Sequence, residues 1–199
     1  MTERKPGFAN LLFKYRSYTP IPFIALALVF ANPGGWPFWS GLGLLILGEL
    51  IRNWALGYIG PISRTDIPIG GRLVSTGPYA YTRNPLYIGN FLIAVGTTLY
   101  SGALLPWLPI AVALFFIVQY IIIIPLEETG LKREKGEAFA DYLKRVPPVF
   151  PRLTPYDKRS SHSFEAGQAL NGEVPTLHTI FMLLWIMPLA GWVRMAVLG

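Results

Sequence analysis

Apolar and polar positions alternate along this chain in blocks rather than in single residues, and the blocks set its architecture. The uncharged run Asn84–Leu126 would exceed 60 Å as one helix, roughly 65 Å at about 1.5 Å per residue, against about 30 Å of bilayer hydrocarbon. It therefore folds back, and Ser101-Gly102 is the natural break, with one span over Pro85–Tyr100 and another over Ala103–Pro125. A second uncharged run, Ser17–Gly48, is cut by Asn32-Pro33-Gly34-Gly35-Trp36-Pro37 and reads as another hairpin, whose first arm, Tyr18–Ala31, is short for a full crossing. A last apolar segment runs from Val174 to Leu198, interrupted only by His178 and Arg194. Between Glu127 and Val146 the apolar residues Leu131, Ala138, Phe139, Tyr142, Leu143 and Val146 recur at three and four among charged neighbours. That spacing predicts an amphipathic helix on the membrane surface, ended by Val146-Pro147-Pro148. The fold class is thus all-α: a polytopic membrane helical bundle of about five transmembrane helices plus one cytoplasmic amphipathic helix. It forms a single integral membrane domain over 1–199, with an N-terminal hairpin at 18–60, a core at 71–152, a polar linker at 153–175 and a last helix at 176–198.

Composition agrees: 52% hydrophobic and 14% charged residues, with a mean hydropathy of +0.42, lie well outside the soluble range. All of the 17 Lys and Arg residues except Arg52 and Arg194 fall on one side of this topology. The positive-inside rule then puts the N-terminus, the 60–84 loop and the 126–175 segment in the cytoplasm. A net charge of +6 is accounted for by these flanking residues and by attraction to anionic headgroups, so nucleic acid is not an expected partner. Glu3 and the long polar lead argue for an uncleaved first span over a signal peptide. The absence of cysteine removes disulfides, thiolate metal sites and cysteine nucleophiles. His162 and His178 stand apart from any ligand-spaced cluster, so no metal site is expected.

Two polar islands carry the candidate chemistry, and the topology brings both to the cytoplasmic surface. The first, LVSTGPYAYTRNPLYIG over Leu73–Gly89, places Arg83 and Asn84 just before Pro85, a residue suited to a first helical turn, with Tyr79, Tyr81 and Tyr87 supplying hydroxyls and ring faces. Such a helix start and Arg83 favour a carboxylate or phosphate. The second island, Glu127-Glu128, accepts hydrogen bonds from hydroxyl or ammonium groups. Taken residue by residue, an interfacial aromatic belt with a basic stop is the commoner explanation of the tyrosines. Inside a span, Glu49 and Arg52 share a helix face at a spacing of three, as an intrahelical ion pair or as part of a substrate cavity. A dinucleotide-type Gly-rich turn is absent, since Gly41-x-Gly43 is followed by Gly48 within an apolar span.

GPYAYTRNPLYIGN, a hydrophobic hairpin, and then EETGLKREKGEAFADYLKRVPPVFP, taken together over about Gly71–Arg152, resemble the isoprenylcysteine carboxyl methyltransferase-like family and its phospholipid N-methyltransferase relatives. In that family an Arg-His-Pro-x-Tyr-x-Gly segment and a later Glu-Glu form the S-adenosylmethionine site. The resemblance implies that Leu73 and Val74 run past the cofactor and that Tyr79 and Tyr87 pack or hydrogen-bond against it. It implies further that Arg83, Asn84, Pro85 and Leu86 frame its amino-acid end and that Glu127 accepts from one of its polar groups. Glu128 contributes there or orients the amphipathic helix. The family's usual His is Asn84 here, which removes an imidazole base from any mechanism at that position. The expected activity is methyl transfer to a lipid-like or prenylated small-molecule or peptide acceptor, on a carboxyl oxygen or an amine. The alternatives are a nicotinamide-dependent membrane reductase of steroid-reductase-like architecture and a non-enzymatic membrane scaffold.

Overall fold

A computed structural model describes residues 7–59, 73–158 and 160–198, with the side chains of 133–136, 138 and 198 left out of the description. Arg4, Lys5, Arg64, Arg72 and Arg159, which contribute to the expected charge asymmetry, lie outside the described residues. The described chain is helical: α1 Phe8–Lys14, α2 Ile21–Val29, α3 Gly35–Ile59, α4 Pro85–Ser101, α5 Trp107–Arg145 and α6 Ala166–Leu198, with a short 3-10 turn at Gly77–Ala80.

Three helices have the length and apolarity of a membrane crossing, over Gly35–Ile59, Trp107–Lys132 and Ala166–Val197. Of the five expected spans, α4 with 17 residues (about 26 Å) and α2 with nine (about 14 Å) are shorter than the hydrocarbon core. On α3, α5 and α6 broad apolar faces lie open, among them Ile46, Leu50, Ile117, Ile121, Phe181 and Trp185. Such patches belong against lipid.

Helices α3 and α4 run antiparallel in the closest packing of the bundle, because glycines meet across it. A Cβ on Gly48 would come within 2.8 Å of the Gly89 carbonyl, and one on Gly96 within 2.9 Å of the Gly41 carbonyl. In lipid, where apolar burial between helices gains little, this close backbone approach supplies the association. At its end α4 closes at Gly102 in the left-handed region (φ +65°), and the Asn32 N–H donates to the Ser101 carbonyl at 2.8 Å. The break expected at Ser101-Gly102 is therefore where the chain turns.

The expectation of a separate amphipathic helix requires correction. No break falls at Pro125, and α5 continues from the apolar span to Arg145. The Thr129 hydroxyl donates back to the Pro125 carbonyl at 2.7 Å, and the helix passes the proline with one main-chain bond fewer, at the Ile121 carbonyl. Likewise α6 starts at Ala166, well before Val174, and passes through Pro175 with Thr179 donating to the Pro175 carbonyl at 2.9 Å. The polar stretch read as a linker to residue 175 is thus partly helical.

The cytoplasm-expected half of α5 buries Phe139, Tyr142 and Val146 against Leu73, Ala80 and Tyr156. Downstream residues clasp the first island through main-chain bonds. Arg83 N–H donates to Pro147 (2.9 Å), Arg152 N–H to Tyr81 (3.0 Å) and Tyr156 N–H to Ala80 (2.8 Å), while Glu165 N–H ties the same segment to Gly57 of α3 (2.9 Å). Ser75 and Thr76 extend the clasp to Lys158, Ser160 and His162.

The clasp carries a pH dependence. Asp141 accepts from the Tyr156 hydroxyl at 2.9 Å and from Lys158 at 3.2 Å. The Tyr156 bond, with Lys158 and Arg145, holds its carboxyl below the usual aspartate range. Burial first, and Asp141 second, push Tyr156 from 10.0 up to about 12. A depressed Asp contributes stability above its unfolded pKa, about 3.9, and loses it as pH falls through the lower folded value. A raised Tyr contributes below pH 10.0 and loses that contribution as pH rises through about 12. The melting temperature should therefore be level between these limits and fall on both sides. In Tyr156→Phe the acid-side fall should be shallower, and an unchanged acid profile would exclude this pairing as its source.

Candidate active site at one end of the bundle

The first island and the middle of α5 meet at the end of the bundle where α3 finishes and α4 begins. Pro85 occupies the first turn of α4, as its fixed φ and missing N–H favour, and is fully buried. Two residues on, the Tyr87 hydroxyl is hydrogen-bonded to the Glu127 carboxylate, and its ring stacks on Tyr120 with centroids 4.6 Å apart. Arg16 lies within electrostatic reach of Tyr87.

Arg83 is the main tie between the two islands. Its guanidinium bonds the Leu143 and Val146 carbonyls at 2.6 and 2.7 Å, so it caps the C-terminal end of α5, and it pairs with Glu128 at 2.8 Å. Asn84 donates to the Pro148 carbonyl at 2.9 Å, and Thr82 bonds the Pro148 and Val149 carbonyls. Glu128 is thus engaged in holding the clasp. Leu73 packs in the same cluster as Tyr142, Val74 next to it is half-buried, and so is Leu86 in the first turn of α4.

A buried polar group sits deeper in the bundle. Arg52, 8% exposed, pairs with the fully buried Glu173 of α6 at 2.8 Å, donates to Thr176 at 3.3 Å and bonds Asn90 of α4. Glu49 accepts from Asn53 at 3.3 Å. Arg52 thus has partners on α4 and α6, and the early start of α6 is what carries Glu173 into the bundle. Arg52 also acts electrostatically on Tyr79 and Tyr120. Both hydroxyls are buried, and neither has a hydrogen-bond partner among the described residues. Burial, with Tyr142 adding to it, raises the Tyr79 pKa, so its hydroxyl is a neutral donor at every working pH. The main-chain carbonyl of Tyr79 accepts from Tyr142 at 2.6 Å, which fixes the ring in place.

Two orphaned hydroxyls and an arginine Nε without a partner are costly in an interior, at about 1–3 kcal/mol per unsatisfied group. They are the observation that fits a polar ligand: donors around its charged end, an acceptor at Glu127, and aromatic faces at Tyr87 and Tyr120. Sequence reading singled out Tyr79, Arg83, Asn84, Pro85, Tyr87, Glu127, Glu128 and Arg52, and the structure gathers these at one end of the bundle. It did not single out Asn90, Tyr120, Glu173 or Thr176. Asn90, three residues after Tyr87 and so on its face of α4, was the available signal.

Comparison with known proteins bears on what this arrangement does. The phospholipid methyltransferase family profile matches residues 36–136, taking in both islands. Over 156 residues the chain is 31% identical to the nickel-cobalt-cadmium resistance protein NccN of Alcaligenes xylosoxydans xylosoxydans, covering 74% of this chain and 68% of that protein. It is 32% identical over 150 residues to the cobalt-zinc-cadmium resistance protein CzcN of Cupriavidus metallidurans, covering 71% and 64%. With the protein-S-isoprenylcysteine O-methyltransferase of Schizosaccharomyces pombe the identity is 35% over 120 residues, covering 57% and 49%. The chain thus spans about two thirds of the length of the two resistance proteins and about half of the third relative. No solved structure matches it. Because the family match covers half of the chain and includes the helices that build the site, the chain belongs to the phospholipid methyltransferase family and is a membrane methyltransferase.

Proposed function

We propose that the chain transfers a methyl group from S-adenosylmethionine, bound at the Tyr87–Glu127 end of the bundle, to a lipid-like or prenylated acceptor reached from the bilayer. The observation that carries this reading is the pairing of Tyr87 with Glu127 beside the two partnerless tyrosine hydroxyls. That end, with the N-terminus, faces the cytoplasm in this reading, since the basic residues of α1, of the α4 entrance and of the α5 extension gather there.

Bound S-adenosylmethionine would supply a methyl group on a sulfonium centre, and transfer in line disperses charge without creating it. The residues of this chain then bind, orient and exclude water. Glu127 would accept from the cofactor's polar groups, while Arg83 and Asn84 hold the clasp closed around its amino-acid end. Tyr79 and Tyr120 would donate from the interior, and Leu73, Val74, Pro85 and Leu86 would form apolar walls. Glu49 and Arg52 would face the acceptor. Well-oriented reactants recover about 7–11 kcal/mol of a barrier without acid–base chemistry, which suits a site with no imidazole. A carboxylate acceptor needs no base. For an amine acceptor Glu128 is a poor base, being paired with Arg83.

The names of two relatives mention metals, yet among the described residues no group of three His, Asp or Glu is placed to hold one. Calorimetry on the purified protein tests the reading. S-adenosylhomocysteine is expected to bind in the micromolar range, with binding lost in Glu127→Ala and Tyr87→Ala. Tyr79→Phe should weaken it about tenfold, or 1.4 kcal/mol, while leaving the melting temperature unchanged or slightly raised, because the hydroxyl has no partner to lose. Binding of NADPH in its place would establish a reductase, and binding of neither would leave a scaffold.

A further inference from the structure

The opposite end of the bundle holds an open pocket of about 500 Å³ where two turns meet the last helix. Asn32 and Gly34 come from the α2–α3 connection, Gly102 and Leu104 from the α4–α5 connection, and Arg194 from α6. Its floor is fixed backbone. The Asn32 N–H is bonded to the Ser101 carbonyl at 2.8 Å, a Cβ on Gly102 would collide with the Asn32 carbonyl, and Gly191 sits directly against Pro33.

Arg194 gives one amino group to the Phe30 carbonyl at 3.0 Å and lies over the Phe30 ring at 5.9 Å. No carboxylate pairs with it among the described residues, and the sequence explains why. The stretches that build this end, residues 30–45, 98–112 and 180–198, contain no Asp or Glu. A guanidinium offers five N–H donors in a planar fork suited to phosphate oxygens, and only one group is engaged here. The depth of the cavity is marked by Trp36, Trp39, Trp107 and Trp192, exposed by 76, 68, 73 and 64%. Exposed tryptophans grouped at one end of a membrane bundle lie at headgroup level. An uncompensated cation, an exposed amide and a rigid polar cavity thus coincide at the depth of lipid phosphates. Along α4 this place, at Gly102, is about 22 Å from Tyr87.

We propose that this cavity is a second binding site, which takes the phosphate of a glycerophospholipid from the leaflet opposite the methyl-transfer site. Arg194 engages two phosphate oxygens, and the Asn32 amide donates to a third.

The full chain, purified in an uncharged detergent, is melted with increasing dihexanoylphosphatidylglycerol, with dihexanoylglycerol, which lacks the phosphate, or with inorganic phosphate. The phospholipid is expected to raise the melting temperature saturably by about 3 °C, and dihexanoylglycerol to leave it unchanged. Arg194→Gln and Asn32→Asp should both abolish the rise. Asn32→Asp keeps the shape and the main-chain bond to Ser101 while adding a repelling carboxylate, so it reports binding even if Arg194→Gln folds poorly. An equal, variant-sensitive rise with inorganic phosphate would retain the phosphate site but overturn the lipid as its source. A rise with dihexanoylglycerol, or one unaltered in Asn32→Asp, would overturn the site itself.

Discussion

Glu173→Ala is expected to destabilise the protein by about 3–5 kcal/mol, the cost of stranding a buried charge when its partner is removed. Glu173 is wholly buried and Arg52 nearly so, at 2.8 Å from each other, with α3 on one side and α6 on the other. Deleting the carboxylate leaves the guanidinium with Asn90 and Thr176, which are neutral, and with Glu49, one turn back on α3, as the remaining carboxylate on its helix face. Glu173→Gln keeps the shape and one acceptor, so it should cost less than Glu173→Ala. Replacing both partners, as Arg52→Met with Glu173→Leu, should recover much of the lost stability, because a buried pair stabilises little relative to well-packed apolar residues. Thermal melts in detergent measure all three. If Glu173→Ala melted like the parent, Arg52 would have to be solvated from elsewhere and its pairing with α6 would be incidental.

The second large effect is expected at Arg83. Arg83→Leu should lower S-adenosylhomocysteine affinity at least 100-fold, about 2.7 kcal/mol, with a matching loss of methyl transfer. The side chain makes two carbonyl bonds and an ion pair, and hydrogen bonds to charged groups contribute about 1.5–3 kcal/mol each before non-additivity is counted. Two of the three partners, Glu128 and Leu143, belong to α5 and the third, Val146, is its C-cap, so their loss frees the C-terminal half of that helix from the α4 entrance. Arg83→Lys should recover only part of the affinity, since a point charge cannot span two carbonyls and a carboxylate with the geometry of a planar fork. Glu128→Gln should have a smaller effect than Arg83→Leu, as it removes one of three contacts. Full affinity in Arg83→Leu would show that the clasp closes without it.

Both ends of α4 were legible in the sequence because they are written in residues with few conformational options. Pro85 after Asn84 starts the helix, and Gly102 supplies the left-handed residue that ends it. The two islands were legible for a related reason: polar residues bordering apolar runs have to sit at a membrane surface. Pro125 misled because an internal proline removes a single main-chain bond, and whether a helix runs on through it depends on its surroundings and not on local propensity. Glu173 was missed because it stands immediately before the apolar run at Val174, where a carboxylate reads as a solvated flank. Only the tertiary position of Arg52 explains why the helix extends back to bury it. The clasp of 147–165 over 75–84 was equally hidden, since it rests largely on main-chain groups that every sequence possesses.

One mechanical consequence follows from the continuity of α5. At 39 residues, about 58 Å, it is a single rod with one end among interfacial tryptophans and the other under Arg83. Pro125 lies between those two ends, so the stiffness of the helix at that proline sets how much of a change of tilt at Trp107 reaches Tyr142 and the Arg83 cap.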